Sequence, residues 1–524
     1  MELPCNVDID NNCISLYNKI YYVYIGGYDM PASKYKTKEE ILKRAREVIG
    51  IQFELIDKSD KLKEIKGGVG KMIETDWFGI DNNNVAEPDF AEAGVELKVT
   101  PYFINSKGLR AKERLVCNII NYEEENLEDF YKSSYWKKNE TTLIMSYHDT
   151  IPEVNAERKK LKMVALTNEE KYKLKKEFTV NQVALFKIPK RDLPIIINDW
   201  TKIAEKIKCG KAHELSERDT MYLAACTKGS TTEKSMRNQP FNKCEKARER
   251  AYSLKPSYMT YILNTFLYGK DEDENIIKNI DKLSKKNIDD YIIDELRPYF
   301  GKSQAEIKRE LEITSSAKSL NYILISKALN VSNIESSAEF KKAGIKIKTI
   351  RIEADGRSIE QHMSFPVVKF CDLVSEEWEE SSVKELMVDT KYMFVIFRKD
   401  NEYNKDKNNT NHTEQHLFLN NIIFWQLPDE DEEEVKRVWQ NARNSINNGA
   451  GLKSVKWGKG YRMENDLPKA TESRIAHMRP HTTKSGYTAD SPSADVLPNG
   501  NYMTKQCFWF NKEYVMEQIK NYIK

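Results

Sequence analysis

Three charged residues lie close together in the spacing Asp89-x6-Glu96-x-Lys98, on a segment whose apolar and polar residues alternate. Such alternation predicts a β-strand, so Val95 and Leu97 would face a core while Glu96 and Lys98 point the other way. Mg²⁺ prefers carboxylate oxygens, and a neighbouring ammonium can stabilise negative charge that develops at phosphorus. The pattern therefore predicts metal-dependent hydrolysis of a phosphodiester, although an ordinary exposed strand face has the same spacing.

A glycine-rich stretch, KGGVGK, precedes this strand and begins at Lys66. It has the lysines and glycines of a phosphate-binding loop, but Met72 stands where such a loop needs Ser or Thr to hold Mg²⁺. The charged segment before it does not read as a buried strand, so nucleotide binding is disfavoured. We expect a helix that can approach a sheet or DNA closely, with Glu74 about two turns after Lys66 on the same face.

Helical and extended patterns alternate through the first half of the chain. Apolar residues at helical spacing predict helices that begin near Thr37, near Gly67 and near Asp192. Strands bracketed by helices indicate the α/β class, a mixed sheet flanked by helices. We expect the strands at residues 94–103, 113–122, 142–147 and 182–188.

Two segments of the chain, 250 residues apart, resemble each other. Residues 89–98 read DF…AGVELK, and residues 339–348 read EF…AGIKIK with the same spacing. Two weaker echoes follow in the same order and indicate a duplicated domain. They pair residues 226–229 with 481–485, and residues 250–255 with 507–511.

The second copy differs from the first at the charged positions. Glu339 replaces Asp89, and Lys346 replaces Glu96. A lysine at a metal-ligand position brings positive charge to the place where a cation would sit. We therefore expect the second copy to keep the fold without Mg²⁺ and without cutting, and to bind DNA. A purely structural remnant is the alternative.

Composition sets wider limits. A chain of 524 residues exceeds the roughly 250 residues of a single core, so two domains are expected. Net charge is +2, but residues 201–270 carry 14 Lys and Arg against 7 Asp and Glu, which suits a polyanion. No apolar run reaches the roughly 18 residues of a membrane span, and no secretory signal opens the chain, so we expect a cytoplasmic protein that does not enter membranes.

Cysteine, histidine and tryptophan add little to the functional prediction. The eight cysteines form no CxxC pair and are expected to be free, buried thiols, and the seven histidines form no metal-binding motif. Residues 401–413 read as a surface loop, and residues 428–434 as the acidic first turn of a helix. Trp77, Trp136 and Trp457 are expected in the core.

Taken together, Asp89, Glu96, Leu97 and Lys98, preceded by the pair Lys66 and Glu74, resemble the MutH family of DNA endonucleases. Longer phrases resemble the Sau-type type II restriction endonucleases that cut GATC, and the resemblance spans about residues 31–524. These phrases are KERLVCNIINYE (112–123), GKAHELSERDTMYLAACTKG (210–229), RNQPF (237–241), RAYSLKPSYMTYIL (250–263), EEWEES (376–381), RPHT (479–482) and MTKQCFWFNKEYV (503–515).

The resemblance implies roles for the residues that match. Asp89 and Glu96 would hold the metal together with the Leu97 carbonyl, and Lys98 would be the catalytic lysine. Glu74 and Lys66 would support the network of metal and water. Contacts to DNA would come from a further set, in which Tyr252 stands beside Ser253, where mismatch-repair MutH has Tyr. From the resemblance this set contains Lys112, Lys228, Tyr252 and Lys255, and the basic segment adds Arg237, Asn238 and Gln239 as base-reading donors.

The implied fold is a tandem of two restriction-endonuclease-like domains. We expect an arm at residues 1–30, a catalytic domain at 31–270, and a DNA-binding effector domain at 271–524, with Arg479, His481 and Lys484 as phosphate contacts. The implied reaction is Mg²⁺-dependent cleavage of duplex DNA at 5′-GATC-3′, 5′ to the G. A strand-specific nicking endonuclease and a non-cutting DNA-binding protein are the alternatives. One catalytic site per chain favours DNA-induced pairing of two chains.

Overall fold

A computed structural model describes residues 35–64, 67–80, 87–105, 108–161, 163–228, 235–284, 286–315, 317, 319–378, 381–458 and 460–523. The predicted arm at residues 1–30 and the predicted site residue Lys66 lie outside these ranges. We refer to residues up to 270 as the N-terminal half and to the remainder as the C-terminal half.

The N-terminal half is a mixed α/β structure, as its sequence pattern predicts. In chain order its helices and strands are α1 (Lys38–Glu47), α2 (Phe53–Ile56), α3 (Gly68–Met72), β1 (Glu96–Asn105), β2 (Gly108–Ala111), β3 (Leu115–Ile119), α4 (Ser134–Asn139), β4 (Thr142–His148), α5 (Ile151–Lys160), α6 (Asn168–Glu177), β5 (Val180–Phe186), α7 (Leu193–Lys208), β6 (Leu223–Thr227), β7 (Met236–Gln239), β8 (Asn242–Arg248), β9 (Arg250–Leu254) and α8 (Pro256–Ile262).

The first sheet has the strand order β2-β1-β4-β5. Strand β1 runs parallel to β4, and β4 runs antiparallel to β5. Helix α1 begins with a capping box in which Thr37 and Glu40 each bond the other's backbone amide, which satisfies donors that a helix start leaves open. Its residues Ile41 and Ala45 are fully buried, so the apolar face that the sequence predicts is the face that packs inward.

A second, smaller sheet has the order β3-β9-β6, with antiparallel neighbours. The hairpin of β7 and β8 connects two of its strands, β6 and β9. Helix α7 precedes β6 and buries Ile196, Trp200 and Ile203 against this part of the structure.

The C-terminal half repeats this plan. Its elements are α9 (Ile288–Leu296), α10 (Gln304–Glu310), α11 (Leu320–Ala328), α12 (Ala338–Ala343), β10 (Ile345–Ile352), β11 (Met363–Val368), α13 (Phe370–Ser375), α14 (Ser382–Lys384), β12 (Lys391–Lys399), α15 (Thr410–Gln415), β13 (Leu417–Trp425), α16 (Glu432–Asn447), β14 (Lys453–Trp457), β15 (Gly460–Glu464), β16 (Ala476–Pro480), β17 (Ala494–Val496), β18 (Tyr502–Thr504), β19 (Gln506–Phe510) and α17 (Lys512–Ile519).

The strand pairings show the repeat most clearly. The sheet β10-β12-β13 has β10 parallel to β12 and β12 antiparallel to β13, as in β1-β4-β5. The sheet β11-β19-β16 is antiparallel and has the same connectivity as β3-β9-β6. A hairpin, β17–β18, again lies between the last two of these strands, and a helix again follows. Both halves therefore share one topology, which explains the repeated phrases in the sequence.

The register of the small sheets refines the sequence alignment. Ser253 lies between Val116 and Ala224, and Trp509 occupies the same place between Ser364 and His477. This equivalence agrees with the predicted match of residues 250–255 to 507–511. The other echo is displaced by two residues, because Cys226 pairs with Ala251 as Arg479, not His481, pairs with Cys507. A shift of two residues keeps the same strand face, so the sequence pattern alone did not reveal it.

Apolar packing continues across residue 270. One core cluster contains Ile196, Tyr222 and Tyr258 of the N-terminal half together with Ile345 and Val395 of the C-terminal half. A buried ion pair also crosses the division, with the Lys342 ammonium 2.7 Å from the Asp192 carboxylate. The boundary predicted at residue 270 is untested by these contacts, which show only that the two sides share a core.

Several expectations about single residues need correction. Trp457 is 62% exposed, and Trp77 and Trp136 are only partly buried, so the predicted core position is wrong for Trp457. Cys209 and Cys244 are exposed, although the cysteines of the described residues are free as expected. The predicted loop at residues 401–413 contains a short helical turn and the start of α15. None of the described helices is long and apolar enough to cross a membrane.

Candidate active site

A closed loop sets the distance between Asp89 and Glu96. The amide of Phe90 donates to the Val95 carbonyl over 2.9 Å, and the amide of Val95 donates back to the Phe90 carbonyl over 3.2 Å. Gly94 turns the loop with φ +62°, a backbone conformation that glycine adopts without steric cost. The six residues between the two carboxylates thus form a fixed turn, which brings Asp89 back beside the start of β1.

Hydrogen bonds join the predicted catalytic residues. The Leu97 amide donates to Asp89 Oδ2 over 2.9 Å, and the Asp89 amide donates to Glu96 Oε2 over 3.3 Å. Lys98 Nζ donates to Glu96 Oε1 over 2.7 Å. Asp89, Glu96 and Lys98 therefore form one connected group at the N-terminal end of β1.

The burial of Glu96 departs from the expected alternation. Its side chain was predicted on the face away from the core, yet the residue is only 1% exposed. Burial raises the pKa of Glu96 from 4.5 to about 7; the Asp89 carboxylate adds to this shift, and the Lys98 and Lys138 ammonium groups oppose it. A buried carboxylate with a raised pKa, close to a second carboxylate, is typical of functional sites. Because Glu96 is buried, the alternative of an ordinary exposed strand face is excluded.

Glu74 and Lys98 belong to the same electrostatic group. Burial and then the Asp89 charge raise the pKa of Glu74, against the effect of Lys98 and Lys138. For Lys98, burial opposes the charged form, but the Glu96 carboxylate and its hydrogen bond outweigh burial and raise the pKa. Glu74 lies on a π-helical turn, Ile73–Trp77, that continues α3, so the glycine-rich segment does supply a helix beside the site.

Lys138 is a site residue that the sequence analysis missed. Its Nζ lies 3.7 Å from Glu96 Oε1, and its side chain is 17% exposed. Lys138 lies on α4, 40 residues after Lys98, and reaches the site because α4 leads into β4, the parallel neighbour of β1. The Ser133 cap predicts where α4 begins, but no local pattern indicates that β1 and β4 are neighbours.

The residues present fit a hard divalent cation. Within the described ranges no group of three or more His, Cys, Asp and Glu side chains forms a ready metal cage. Asp89 and Glu96 nonetheless offer two carboxylates beside the backbone of Leu97. Mg²⁺ is often held by one or two carboxylates, with water and substrate phosphate completing its shell. Burial is the main cause of the raised pKa values of Glu96 and Glu74, and the Asp89 charge adds to both; a bound cation would favour the ionised carboxylates against both effects.

Lys112 lies away from this group. Its Nζ is 2.8 Å from the buried Asp149 carboxylate, and its amide bonds to Pro101, toward the other end of β1. At about 3.3 Å per residue, the six residues from Glu96 to Tyr102 extend roughly 20 Å along the strand. The structure therefore does not bring Lys112 to Asp89, Glu96 and Lys98, and a DNA contact by Lys112 stays a prediction.

The predicted DNA contacts near the β7–β8 hairpin divide into accessible and buried residues. Arg237 and Asn238 are exposed, and Lys228 directly follows β6 with partial exposure. Gln239 is 2% exposed; its amide group bonds to the Ala212 amide and to the Glu245 carbonyl. Gln239 therefore holds the hairpin to the body of the protein, and in this conformation it cannot read a base.

Tyr252 and Lys255 are also occupied within the fold. Tyr252 is fully buried, with its ring centroid 5.5 Å from that of Tyr135. Lys255 Nζ donates to the Thr220 carbonyl over 2.6 Å. Burial, followed by the nearby Lys391 ammonium, lowers the pKa of Lys255 to about 7. Both residues were expected to contact DNA. In this conformation Tyr252 packs in the core, and Lys255 lies where the two halves meet.

The predicted contacts of the C-terminal half are exposed. Arg479, His481 and Lys484 all lie at the surface, at or after the end of β16. The Arg479 guanidinium lies 4.3 Å from the Trp509 ring centroid, and the His481 ring lies 4.9 Å from it. This cationic and aromatic group remains suited to phosphate contacts.

The segment of the C-terminal half that matches the Asp89 turn makes different contacts. Gly344, like Gly94, has a positive φ, here +67°, and Phe340 is as buried as Phe90. Glu339, at the position of Asp89, is 3% exposed and accepts hydrogen bonds from the amides of Ile276 and Ile277. The second copy keeps the positive φ of the glycine, but its segment forms helix α12, and its carboxylate binds backbone of its own half.

Comparison with known proteins places the site within a matched region. The family model described as "DNA mismatch repair enzyme MutH" matches residues 78–177, a range that contains Asp89, Glu96, Lys98 and Lys138 but not Glu74. Over 521 residues the chain is 32% identical to "Type II restriction enzyme Sau3AI" of Staphylococcus aureus, an alignment that covers 93% of this chain and 99% of that enzyme. The similarity therefore extends over both halves.

Proposed function

The chain belongs to the family of MutH-like type II restriction endonucleases and is a site-specific deoxyribonuclease, and from this premise we propose how it acts. We propose Mg²⁺-dependent hydrolysis of duplex DNA at 5′-GATC-3′, with the cut 5′ to the G. The catalytic residues would be Asp89, Glu96 and Lys98, in a cytoplasmic enzyme.

One observation carries the catalytic assignment. Lys98 Nζ lies 2.7 Å from Glu96 Oε1, and the Asp89 amide lies 3.3 Å from the other oxygen of the same carboxylate, so the three residues already share one geometry. A cation bound by Asp89, Glu96 and the Leu97 carbonyl would neutralise phosphate charge and make water more acidic.

The side chains have separable tasks in this proposal. Lys98 places a positive charge beside the phosphate oxygen on which negative charge increases, and its bond to Glu96 fixes its direction. Glu96 and Asp89 hold the charge that attracts the cation. The Asp89 charge raises the pKa of both Glu96 and Glu74, and the Lys138 charge lowers both. The role expected for Lys66, as partner of Glu74, rests on the sequence alone.

The C-terminal half would bind DNA as an effector. Its topology repeats that of the catalytic half, while Lys346 stands in place of Glu96, and Arg479, His481 and Lys484 present positive charge or hydrogen-bond donors at its surface. The N-terminal contacts would come from Lys228, Arg237 and Asn238. We propose that one catalytic site per chain cuts one strand, and that DNA brings two chains together for a double-strand break.

Digestion of an unmethylated plasmid that contains GATC sites tests the proposal. The purified chain should produce fragments with Mg²⁺ and none with EDTA, and sequencing of the ends should place each cut 5′ to the G. Nicked circles as the end product would favour the nicking alternative. Ends at other sequences would refute GATC specificity, and intact plasmid at every metal concentration would refute cleavage.

A matched pair of variants separates cutting from binding. Glu96→Ala should abolish cleavage and leave binding of a GATC duplex nearly intact, because Glu96 acts on the metal and not on the bases. Lys346→Ala, at the equivalent position of the C-terminal half, should still cut. If Glu96→Ala loses DNA binding and cleavage together, the residue is structural.

A further inference from the structure

A β-ribbon projects from the C-terminal half. Strands β14 and β15 pair only with each other, with Lys456 opposite Tyr461 and Val455 opposite Arg462. Every residue of the two strands is exposed or partly exposed, so neither face of the ribbon is packed onto a core. An isolated hairpin is marginally stable at best, so the ribbon is not expected to contribute much to the stability of the fold.

The ribbon lies outside the duplicated framework. It lies between α16 and β16, whereas in the N-terminal half the chain passes from α7 to β6 through helical turns at Ala212–Glu214 and Glu217–Asp219. Its exposed aromatic residues are Trp457, 62% exposed, and Tyr461, 77% exposed. Both rings lie on strands that pack against no core of the protein, so they are available for contact with another molecule.

The base of the ribbon is firmly attached. Ala450 is fully buried, and its carbonyl accepts from the Asp466 amide over 3.2 Å, which closes the two ends of the segment. Leu452 packs against the core of the C-terminal half. The ribbon is therefore held in a fixed direction by the body of the protein and is not an unattached loop.

Each face of the ribbon combines an aromatic ring with a cation. In an antiparallel pair, opposed residues share a face, and residues alternate faces along each strand. Trp457 and Arg462 share one face, where the guanidinium lies 3.7 Å from the ring centroid. Lys456 and Tyr461, which are opposed, share the other face.

Charge on the ribbon is strongly unbalanced. The segment 453–464 contains Lys453, Lys456, Lys459 and Arg462 against Glu464 alone. Glu464 is hydrogen-bonded to Arg462 Nε over 3.0 Å. Among the residues that the structure describes, neither Lys453 nor Lys456 forms a salt bridge. Glu464 lies opposite Lys453 and offsets part of its charge, but the ribbon keeps an excess of cations, which points to a polyanionic partner.

We propose that this ribbon is a second DNA contact of the C-terminal half, which enters a groove of duplex DNA with its lysines on the phosphates and with Trp457 and Tyr461 on opposite groove walls. The major groove admits a two-stranded ribbon, and cations on both faces match the phosphates on both sides of a groove. The proposal rests on the proposed function, and it adds a contact surface that the catalytic half lacks.

Equilibrium binding of a labelled GATC duplex to the full chain in EDTA tests the ribbon, because no cleavage then occurs. Trp457→Ala and Tyr461→Ala should each weaken binding at least about fivefold with the same salt dependence, since they remove apolar contacts with the groove walls and no charge. The double variant Lys453→Gln with Lys456→Gln should lower the slope of log affinity against log salt by about 2. Tyr522→Ala and Lys520→Gln, at exposed positions near the C-terminus, should bind like the unmodified chain.

The outcomes separate this proposal from the proposed function. Wild-type affinity and salt slope in all ribbon variants would overturn the ribbon contact, while Mg²⁺-dependent GATC cleavage by the unmodified chain would still stand. Loss of self-association without DNA, at unchanged DNA affinity, would identify the ribbon as a protein interface and would also overturn the proposal. Thermal unfolding should stay unchanged in the variants, because the ribbon lies outside the cores; a large drop would show that the ribbon serves folding.

Discussion

The hydroxyl of Tyr258 donates a 3.0 Å hydrogen bond to the carboxylate of Asp192, the residue that precedes helix α7. The C-terminal half repeats this contact, with the Tyr514 hydroxyl 2.7 Å from the carboxylate of Asp431, which precedes α16. In both halves the bond ties the helix after the small sheet to the start of the helix before it. The duplication thus preserves a buried polar contact that no short phrase of the sequence displays.

Loss of this contact should destabilise the protein. Tyr258→Phe and Tyr514→Phe each remove a donor to a buried carboxylate, and each should lower the free energy of unfolding by about 1–2 kcal/mol. Urea unfolding measures the effect. Tyr131→Phe, at a position where the ring is 54% exposed, is the control and should change little. An unchanged midpoint in both buried variants would show that the bond contributes nothing net.

Equivalent lysines in the two halves should differ in their effect on cleavage. Lys98→Ala removes the ammonium beside Glu96 and should reduce the cleavage rate by on the order of 100-fold or more, with DNA binding retained. Lys348→Ala changes the matching position of the C-terminal half, where Nζ bonds to the Ser364 carbonyl over 2.5 Å, and should retain cleavage. Single-turnover rates on a short GATC duplex compare the two. If both variants lost the same share of the cleavage rate, the proposal that only the N-terminal half cuts would be wrong.

The stability of metal-free protein should depend on pH through Glu96. Its pKa is raised from 4.5 to about 7 in the folded state, so folding favours the protonated carboxyl. That contribution is complete below about pH 4.5 and is lost as pH rises through about 7, and it amounts to at most about 3 kcal/mol. Glu96→Gln cannot ionise and should therefore gain stability relative to the unmodified chain as pH rises.

Urea unfolding in EDTA at about pH 5 and about pH 8 measures this difference. The gap between Glu96→Gln and the unmodified chain should be larger at the higher pH. Glu339→Gln provides a comparison, because Glu339 binds backbone amides and has no part in the catalytic group. A gap that stays constant with pH would show that Glu96 is ionised throughout this range.

Lys138 should act on the proton affinity of Glu96 rather than on DNA. Lys138→Gln removes a cation 3.7 Å from Glu96 Oε1, so the pKa of Glu96 should rise further. The acid limb of the pH–rate profile should then move to higher pH by roughly half a unit to one unit. Lys137→Gln, an exposed neighbour on the same helix, should leave the profile in place. A lower rate without a shifted profile would assign Lys138 to DNA contact instead.

The sequence predicted those parts of the site that depend on local geometry. Asp89, Glu96 and Lys98 lie within ten residues, and a closed turn with Gly94 at its end produces their spacing. Lys138 escaped prediction because only the pairing of β1 with β4 brings it near. The same limit applied to Gln239, whose residue type suits base reading, although its burial is decided by contacts with distant Ala212.

For Trp457 the sequence predicted burial, and the structure shows exposure. Its size and apolar character predict burial, and most of the aromatic residues follow that tendency, but Trp457 lies on a strand that packs against no core. The sequence signal for its exposure is the charge around it, because Lys453, Lys456 and Arg462 are all close to Trp457 in the chain.

One apolar cluster contains residues of both halves, so the two halves depend on each other for their packing. Removal of everything after residue 270 would take Ile345 and Val395 out of the cluster that also contains Tyr222 and Tyr258. If the C-terminal half does not cut, as proposed, its residues in this cluster would still support the core of the N-terminal half. A substitution in the shared cluster must therefore fit side chains of both halves, whereas a substitution in the ribbon meets no core residue.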